Sequence, residues 1–133
     1  MIRAAMDERF GPEHRLQHRT EFERVYRHGW MAKSPSLRVF VRPRQSDNDD
    51  DTDAPRLGLS VGTKVGTAVV RNRLKRRIRE WFRTHKRAVW GWDVVVQAKP
   101  SAAELDYGEL GRQLDRLTAT LRERMEERSH PHE

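Results

Sequence analysis

The apolar positions of this chain repeat with two periods, and the alternation between them predicts six elements. Phe22, Val25 and Tyr26 fall at i, i+3 and i+4 behind Thr20 and Glu23, which have the spacing of a capping box. With Gly29 as a stop, this predicts a helix over 20–28. Ser36-Leu37-Arg38-Val39-Phe40-Val41-Arg42 alternates as a strand does, and Pro43 ends it. Residues 56–61 read as a second strand, in which Gly58 marks a close approach or a bulge. After the glycine-containing turn of residues 62–67, Thr67 can cap a helix that runs to Lys86. At about 100° per residue, Val70, Leu74, Ile78, Trp81 and Phe82 gather on one face of that helix. Asn72, Arg73, Arg76, Arg79 and Arg83 gather on the other, with Arg71, Lys75 and Arg77 flanking the seam. Gly91 breaks the chain, and residues 92–98, β-branched and apolar, read as a central strand ended by Pro100. Asp106 with Glu109 gives a second capping box, followed by a stripe of Leu110, Leu114, Leu117 and Leu121 in a helix reaching about Glu127.

The order helix, strand, strand, basic helix, strand, helix predicts a mixed α/β (α+β) layer, helices packed on a small sheet. At 133 residues the chain fits one domain. That domain is expected over 15–127, with a flexible arm at 1–14 and a flexible tail at 128–133. No internal repeat is present.

Charge changes this picture. Lys and Arg number 27 against 20 Asp and Glu, a net charge of +7. Residues 71–87 hold nine basic side chains and a single acid, Glu80, so this one segment carries more than the whole surplus. A solvated helical face ordinarily mixes signs, because like charges at i,i+4 repel by a few tenths of a kcal/mol. The unmixed run therefore points to a polyanion site. No cysteine is present, which excludes disulfides, a thiol nucleophile and Cys-based zinc. No apolar run approaches the ~18 residues of a membrane span, and residues 1–15 lack a signal-peptide core. The chain reads as soluble and cytosolic.

Protein-borne catalytic chemistry is not legible. The aspartates between Gln45 and Pro55 have the alternate spacing of an EF-hand loop, but Thr52 stands where glycine is required and Gly58 where a bidentate glutamate belongs. Residues 45–55 read instead as an acidic surface loop joining two strands. His14, His18, His28, His85, His130 and His132 form no metal or triad spacing, and no phosphate-binding glycine loop is present. For nucleic acid the chemistry is at hand: Arg makes planar bidentate contacts to phosphate, and Asn72 between Arg71 and Arg73 can read a 2′-OH or a base edge. Phe22, Tyr26 and Phe40 are either core residues or a platform on which single-stranded bases stack, and composition alone favours core.

The stretch Gly58-Leu59-Ser60-Val61, Lys64-Val65-Gly66, Ala68-Val69 and Arg71-Asn72-Arg73-Leu74-Lys75-Arg76 resembles the signature of the bacterial ribonuclease P protein subunit. The resemblance extends over residues 15–125. It includes Arg15-Leu16, Glu21-Phe22, Val25-Tyr26 and Gly29 ahead of the signature, and Ala98-Lys99-Pro100 after it. It implies a two-layer sandwich with a left-handed β-α-β crossover through the R-N-R helix. It also implies a subunit that assembles with a catalytic RNA to remove the 5′ leader of precursor tRNA, an endoribonuclease whose chemistry and Mg2+ ions belong mainly to the RNA. Carried over by position, Lys64, Arg71, Asn72, Arg73, Lys75, Arg76, Arg77 and Arg79 are expected to bind the RNA subunit. Phe22, Tyr26 and Phe40 are expected to bind the leader, no catalytic residue is expected on the protein, and the protein alone is expected to be a monomer. Thr67 stands where the family often has Asn, and Gly62-Thr63 where it often has a Ser/Lys pair.

Two other classes share the charge layout. A stand-alone module for structured RNA, ribosome-associated for example, would look the same but would not stimulate tRNA maturation. A basic-helix DNA binder of the zipper type holds its helix free, whereas the seam from Val70 to Phe82 ties this one to a core. A membrane-surface helix would leave that seam exposed in solution.

Overall fold

The structure is a computed structural model that describes residues 15–44 and 54–129. The expected arm at 1–14, the aspartates of the acidic loop and residues 130–133 lie outside the described residues.

Helix α1 spans Arg19–His28 and leads through Gly29 into strand β1, Trp30–Lys33, an element the sequence pattern did not reveal. Strand β2 spans Leu37–Pro43 and β3 Arg56–Ser60. A short 3-10 turn, Thr63–Val65, precedes helix α2, Ala68–Thr84. A second 3-10 turn, Lys86–Val89, leads to β4, Trp92–Ala98; a third, Pro100–Glu104, leads to helix α3, Tyr107–Ser129. The sheet order is β1-β2-β4-β3, with β1–β2 and β2–β4 antiparallel and β3–β4 parallel. The body is thus the expected mixed sheet, and α2 makes the connection between the parallel neighbours β3 and β4.

The period-2 pattern of β2 and β4 sorts residues onto two faces. Leu37, Val39, Val41, Val94 and Val96 join Leu57 and the seams of α2 and α3 in the main core. Leu74, Ile78, Trp81 and Phe82 of α2 pack there beside Leu110, Leu114, Leu117 and Leu121 of α3. Each fully buried side chain of this kind contributes about 1.5–3 kcal/mol. A polar bond also joins the two helices, Trp81 Nε1 donating to Asp115 Oδ1 at 2.8 Å, and Arg77 donates to the Leu105 carbonyl, just ahead of α3, at 3.2 Å. Gly91 enters β4 with φ 82°, a conformation that disfavours any side chain.

The opposite sheet face carries a smaller cluster of Leu16, Val25 and Val95, with Phe22 and Phe40 packed against it. Helix α1 lies on this face and covers only part of it. Arg56 anchors its start. Its guanidinium makes two 2.9 Å bonds to the buried Asp93 carboxylate and a third, at 3.1 Å, to Glu21.

Three local expectations are corrected. Thr20 does not cap α1, because the helix already includes Arg19; the Glu21 carboxylate accepts instead from the Gln17 and His18 backbone N–H groups. Glu109 donates its backbone N–H to Asp106 at 2.7 Å but turns its own carboxylate to Arg112 and Gln113, so only half of the second capping box forms. Helix α3 runs to Ser129, so Arg128 and Ser129 are helical rather than part of a tail.

Candidate RNA interface

Thr67 accepts the Val70 N–H at 3.3 Å and so fixes the start of α2. Burial of Leu74, Ile78, Trp81 and Phe82 on one side then leaves the polar stripe pointing away from the core. Asn72 and Arg76 are exposed, while Arg71, Arg73, Lys75, Arg77 and Arg79 are half-buried, and Lys64 is exposed on the preceding turn. These cations differ in how far they are committed. Arg71 donates to the Gly66 carbonyl at 3.1 Å, Arg77 donates to Leu105, and Arg83 pairs with Glu80. Among the described residues Arg73, Lys75 and Arg76 have no such partner. Lys86, counted with the basic run in the sequence, is buried at 3% exposure and does not belong to the basic surface.

The aromatic residues lie on the second sheet face. Phe22 and Phe40 are half-buried and Tyr26 is 38% exposed, its ring edge-on to Phe40 at 4.8 Å between centroids. A composition-based reading of all three as plain core is therefore wrong for Tyr26 and incomplete for the other two. Phe22 lies over Gly58 so closely that a Cβ there would come within 2.6 Å of its ring. Gly58 is thus a close approach, not a bulge.

The strand register arranges this face in three rows across the sheet. Arg42, Asp93 and Arg56 form one; Met31, Phe40, Val95 and Gly58 the next; Lys33, Arg38, Gln97 and Ser60 the third. Helix α1 covers the first two: Glu21 sits on Arg56, Phe22 on Gly58, Val25 on Val95 and Tyr26 on Phe40. The third row stays open. Arg38 donates to Gln97 at 3.4 Å and remains exposed. Arg38 and Gln97 were missed as site residues, although the alternation of β2 puts Arg38 on the same face as Phe40.

The two predicted sites meet. Lys75 and Arg79 of α2 line a pocket of about 190 Å³ together with Phe22, Gly58 and Arg15. Burial, reinforced by repulsion from Arg15, pushes the Arg79 guanidinium below its ordinary value. Near the start of α1, burial works to raise the Glu21 carboxyl, but the His18 and Gln17 N–H groups and Arg56 outweigh it and hold it below the usual carboxylate value. The Asp93 hydrogen bond holds Arg56 above its own ordinary value.

The family model described as Ribonuclease P matches residues 10–122. The chain belongs to the ribonuclease P protein family. The ribonuclease P protein component of Ectopseudomonas mendocina is 41% identical over 113 residues, spanning 84% of this chain and 81% of that one. The component of Thermobifida fusca is 42% identical over 107 residues, spanning 78% of this chain and 73% of its own. The solved ribonuclease P protein of Staphylococcus aureus superposes with a TM-score of 0.70 at 30% identity, over 80% of this chain and 94% of that chain. That of Thermotoga maritima gives 0.66 at 29%, over 79% and 96%. The chain is accordingly the protein component of a ribonucleoprotein endoribonuclease. Among the described residues no helix is long and apolar enough to cross a membrane.

Proposed function

We propose that the open face of α2 docks this subunit on the catalytic RNA, while the cleft beside α1 takes the 5′ leader of precursor tRNA. The observation that carries the first half is the division of α2: an apolar seam held in the core, and Asn72, Arg73, Lys75 and Arg76 on the other side, the cations without an ion-pair partner among the described residues. Guanidinium groups on a rigid helix engage phosphates at fixed spacing, which favours a folded RNA over a flexible chain. For the second half, Tyr26 offers a partly exposed ring and Phe22 and Phe40 rings half-covered, as single-stranded bases need for stacking. Arg38 and Gln97 supply polar contacts along the same cleft.

Catalytic Mg2+ is assigned to the RNA. The acids nearest the cleft, Glu21 and Asp93, are both engaged by Arg56. The protein's part is to bind, orient and screen charge in the cytoplasm, as a monomer before assembly. The test is to add the protein to its cognate catalytic RNA at low Mg2+ and follow precursor-tRNA cleavage. Rescue of cleavage is expected, and no rescue at any protein concentration would end this reading.

A further inference from the structure

A second basic surface stands at the β1 edge of the sheet, opposite the β3 edge, assembled from residues distant in sequence. The outer edge of β1 and the facing side of α3 enclose a groove of about 430 Å³. Lys33, Arg116 and Arg124 line it with Met31, Leu117 and Thr120, and among the described residues no carboxylate lines it. Arg124 donates to the Met31 carbonyl at 2.9 Å, which pins its charge against the strand edge. Glu109, the acid that feels Arg116, already gives its carboxylate to Arg112 and Gln113. The groove therefore carries an unbalanced positive charge, although the chain outside residues 71–87 is close to neutral.

Its position gives that charge a meaning. Lys33 belongs both to this groove and to the open third row of the sheet, Lys33, Arg38, Gln97 and Ser60. That row runs alongside α1, from the β3 edge next to α2 to the β1 edge next to α3. With strands about 4.8 Å apart, the walk from β3 to β1 is about 14 Å. A polyanion that follows the third row to the β1 edge reaches Lys33, which also lines the groove.

We infer that the groove between β1 and α3 holds the distal part of the leader, the nucleotides lying beyond those stacked in the aromatic cleft. Exposed Lys33 and Arg116, with the pinned Arg124, meet backbone phosphates there, and the apolar floor of Met31 and Leu117 lies against sugars or bases. The contact is chiefly a charge contact, because three cations line the groove beside only the small hydroxyls of Ser34 and Thr120. It makes leader affinity depend on leader length, with a step when the chain reaches over β1. The inference rests on the assignment of the aromatic cleft to the leader.

The experiment uses the assembled ribonucleoprotein and precursor tRNAs with leaders of about 4 and about 12 nucleotides, which bracket the reach of one single-strand site. The variant Arg116→Gln removes a cation that belongs to the groove alone, and leaves Lys33 in its row and Arg124 with its bond to the strand in place. Expected is about tenfold weaker binding of the long-leader substrate, a salt slope lower by about one per cation removed, and unchanged binding of the short-leader substrate and of mature tRNA. Equal losses on long and short leaders would assign the groove to the tRNA body and overturn the inference. Weaker binding of the variant to the RNA subunit alone would assign it to that RNA and overturn it too. If wild type gains affinity with leader length and the variant gains as much, the groove is idle and the cleft assignment stands. If wild type gains nothing from any leader, the cleft assignment itself fails.

Discussion

Arg56 and Asp93 sit in register on the parallel neighbours β3 and β4, and the guanidinium of the first grips both carboxylate oxygens of the second at 2.9 Å. The third hydrogen bond of Arg56 goes to Glu21, so one side chain holds α1 to the two strands beneath it. Arg56→Met leaves the Asp93 carboxylate buried without its bidentate partner, and the expected loss is about 3–5 kcal/mol in a urea titration at neutral pH. A loss below about 1 kcal/mol would mean that Asp93 is served well enough by Arg44, which stands 3.6 Å away.

The same cluster sets an acid limit. The folded pKa of Glu21 lies below its ordinary value of 4.5. Its contribution is therefore complete above that value and fades as pH falls through the lowered folded pKa. Glu21→Gln should flatten this part of the stability profile below pH 4.5 and loosen the start of α1, read by amide exchange at Gln17 and His18. An acid profile that matches wild type would remove Glu21 from the account.

Gly58→Ala tests the floor of the cleft. The new methyl meets the ring of Phe22 and the side chain of Leu16 rather than backbone, and the Phe22 ring is only half-buried. Folding should suffer modestly, by about 1–3 kcal/mol, as for other small overpacking changes. Leader binding should suffer more, because the displaced ring enters the space offered to bases. The readout is the ratio of precursor to mature tRNA affinity, which should shrink toward one.

Arg73→Ala and Arg76→Ala should weaken binding to the RNA subunit and leave the melting temperature within the scatter of a surface substitution. Binding should also be steeply salt-dependent: six to ten phosphate contacts imply a loss of roughly 10³–10⁵ in affinity between about 50 and 200 mM salt. A flat salt profile would contradict the assignment of α2 to a polyanion.

Tyr26→Ala separates stacking from core packing. A buried aromatic costs roughly 3–5 kcal/mol on truncation. Tyr26, 38% exposed, should cost much less in stability and instead lose about 1–3 kcal/mol in affinity for precursor tRNA. Equal losses on mature tRNA would return it to a structural role.

Most of the frame was legible in the sequence because its signals are local. The period of Val70, Leu74, Ile78, Trp81 and Phe82 needs no partner to be read, and residues 92–98 are β4 residue for residue. Strand β1 was not legible: four residues directly after Gly29 are too few to display a period, and their pairing to β2 is what makes them a strand. The cap of α1 was misread for a related reason. Two acidic residues, Glu21 and Glu23, stand near the helix start; Glu21 accepts from the His18 N–H and also from Arg56, distant in sequence. The charge of Lys86 pointed to the surface, and only tertiary packing buries it. The groove formed by Lys33, Arg116 and Arg124 has no sequence signature at all, since it exists only where β1 meets α3.

The sheet order carries a consequence for biosynthesis. Strand β4 lies between β2 and β3 in space but follows both in the chain, and α3, which seals the seam of α2, comes later still. A ribosome that has released residues up to Gly91 has delivered the entire R-N-R helix, yet the strands beneath it have nothing between them and its seam is bare. Such long-range pairing is slow to form and leaves sticky surface in the meantime. A nascent chain interrupted there is not a weaker RNA binder but a basic, aggregation-prone fragment, and competence to meet the RNA arrives late, with the emergence of α3.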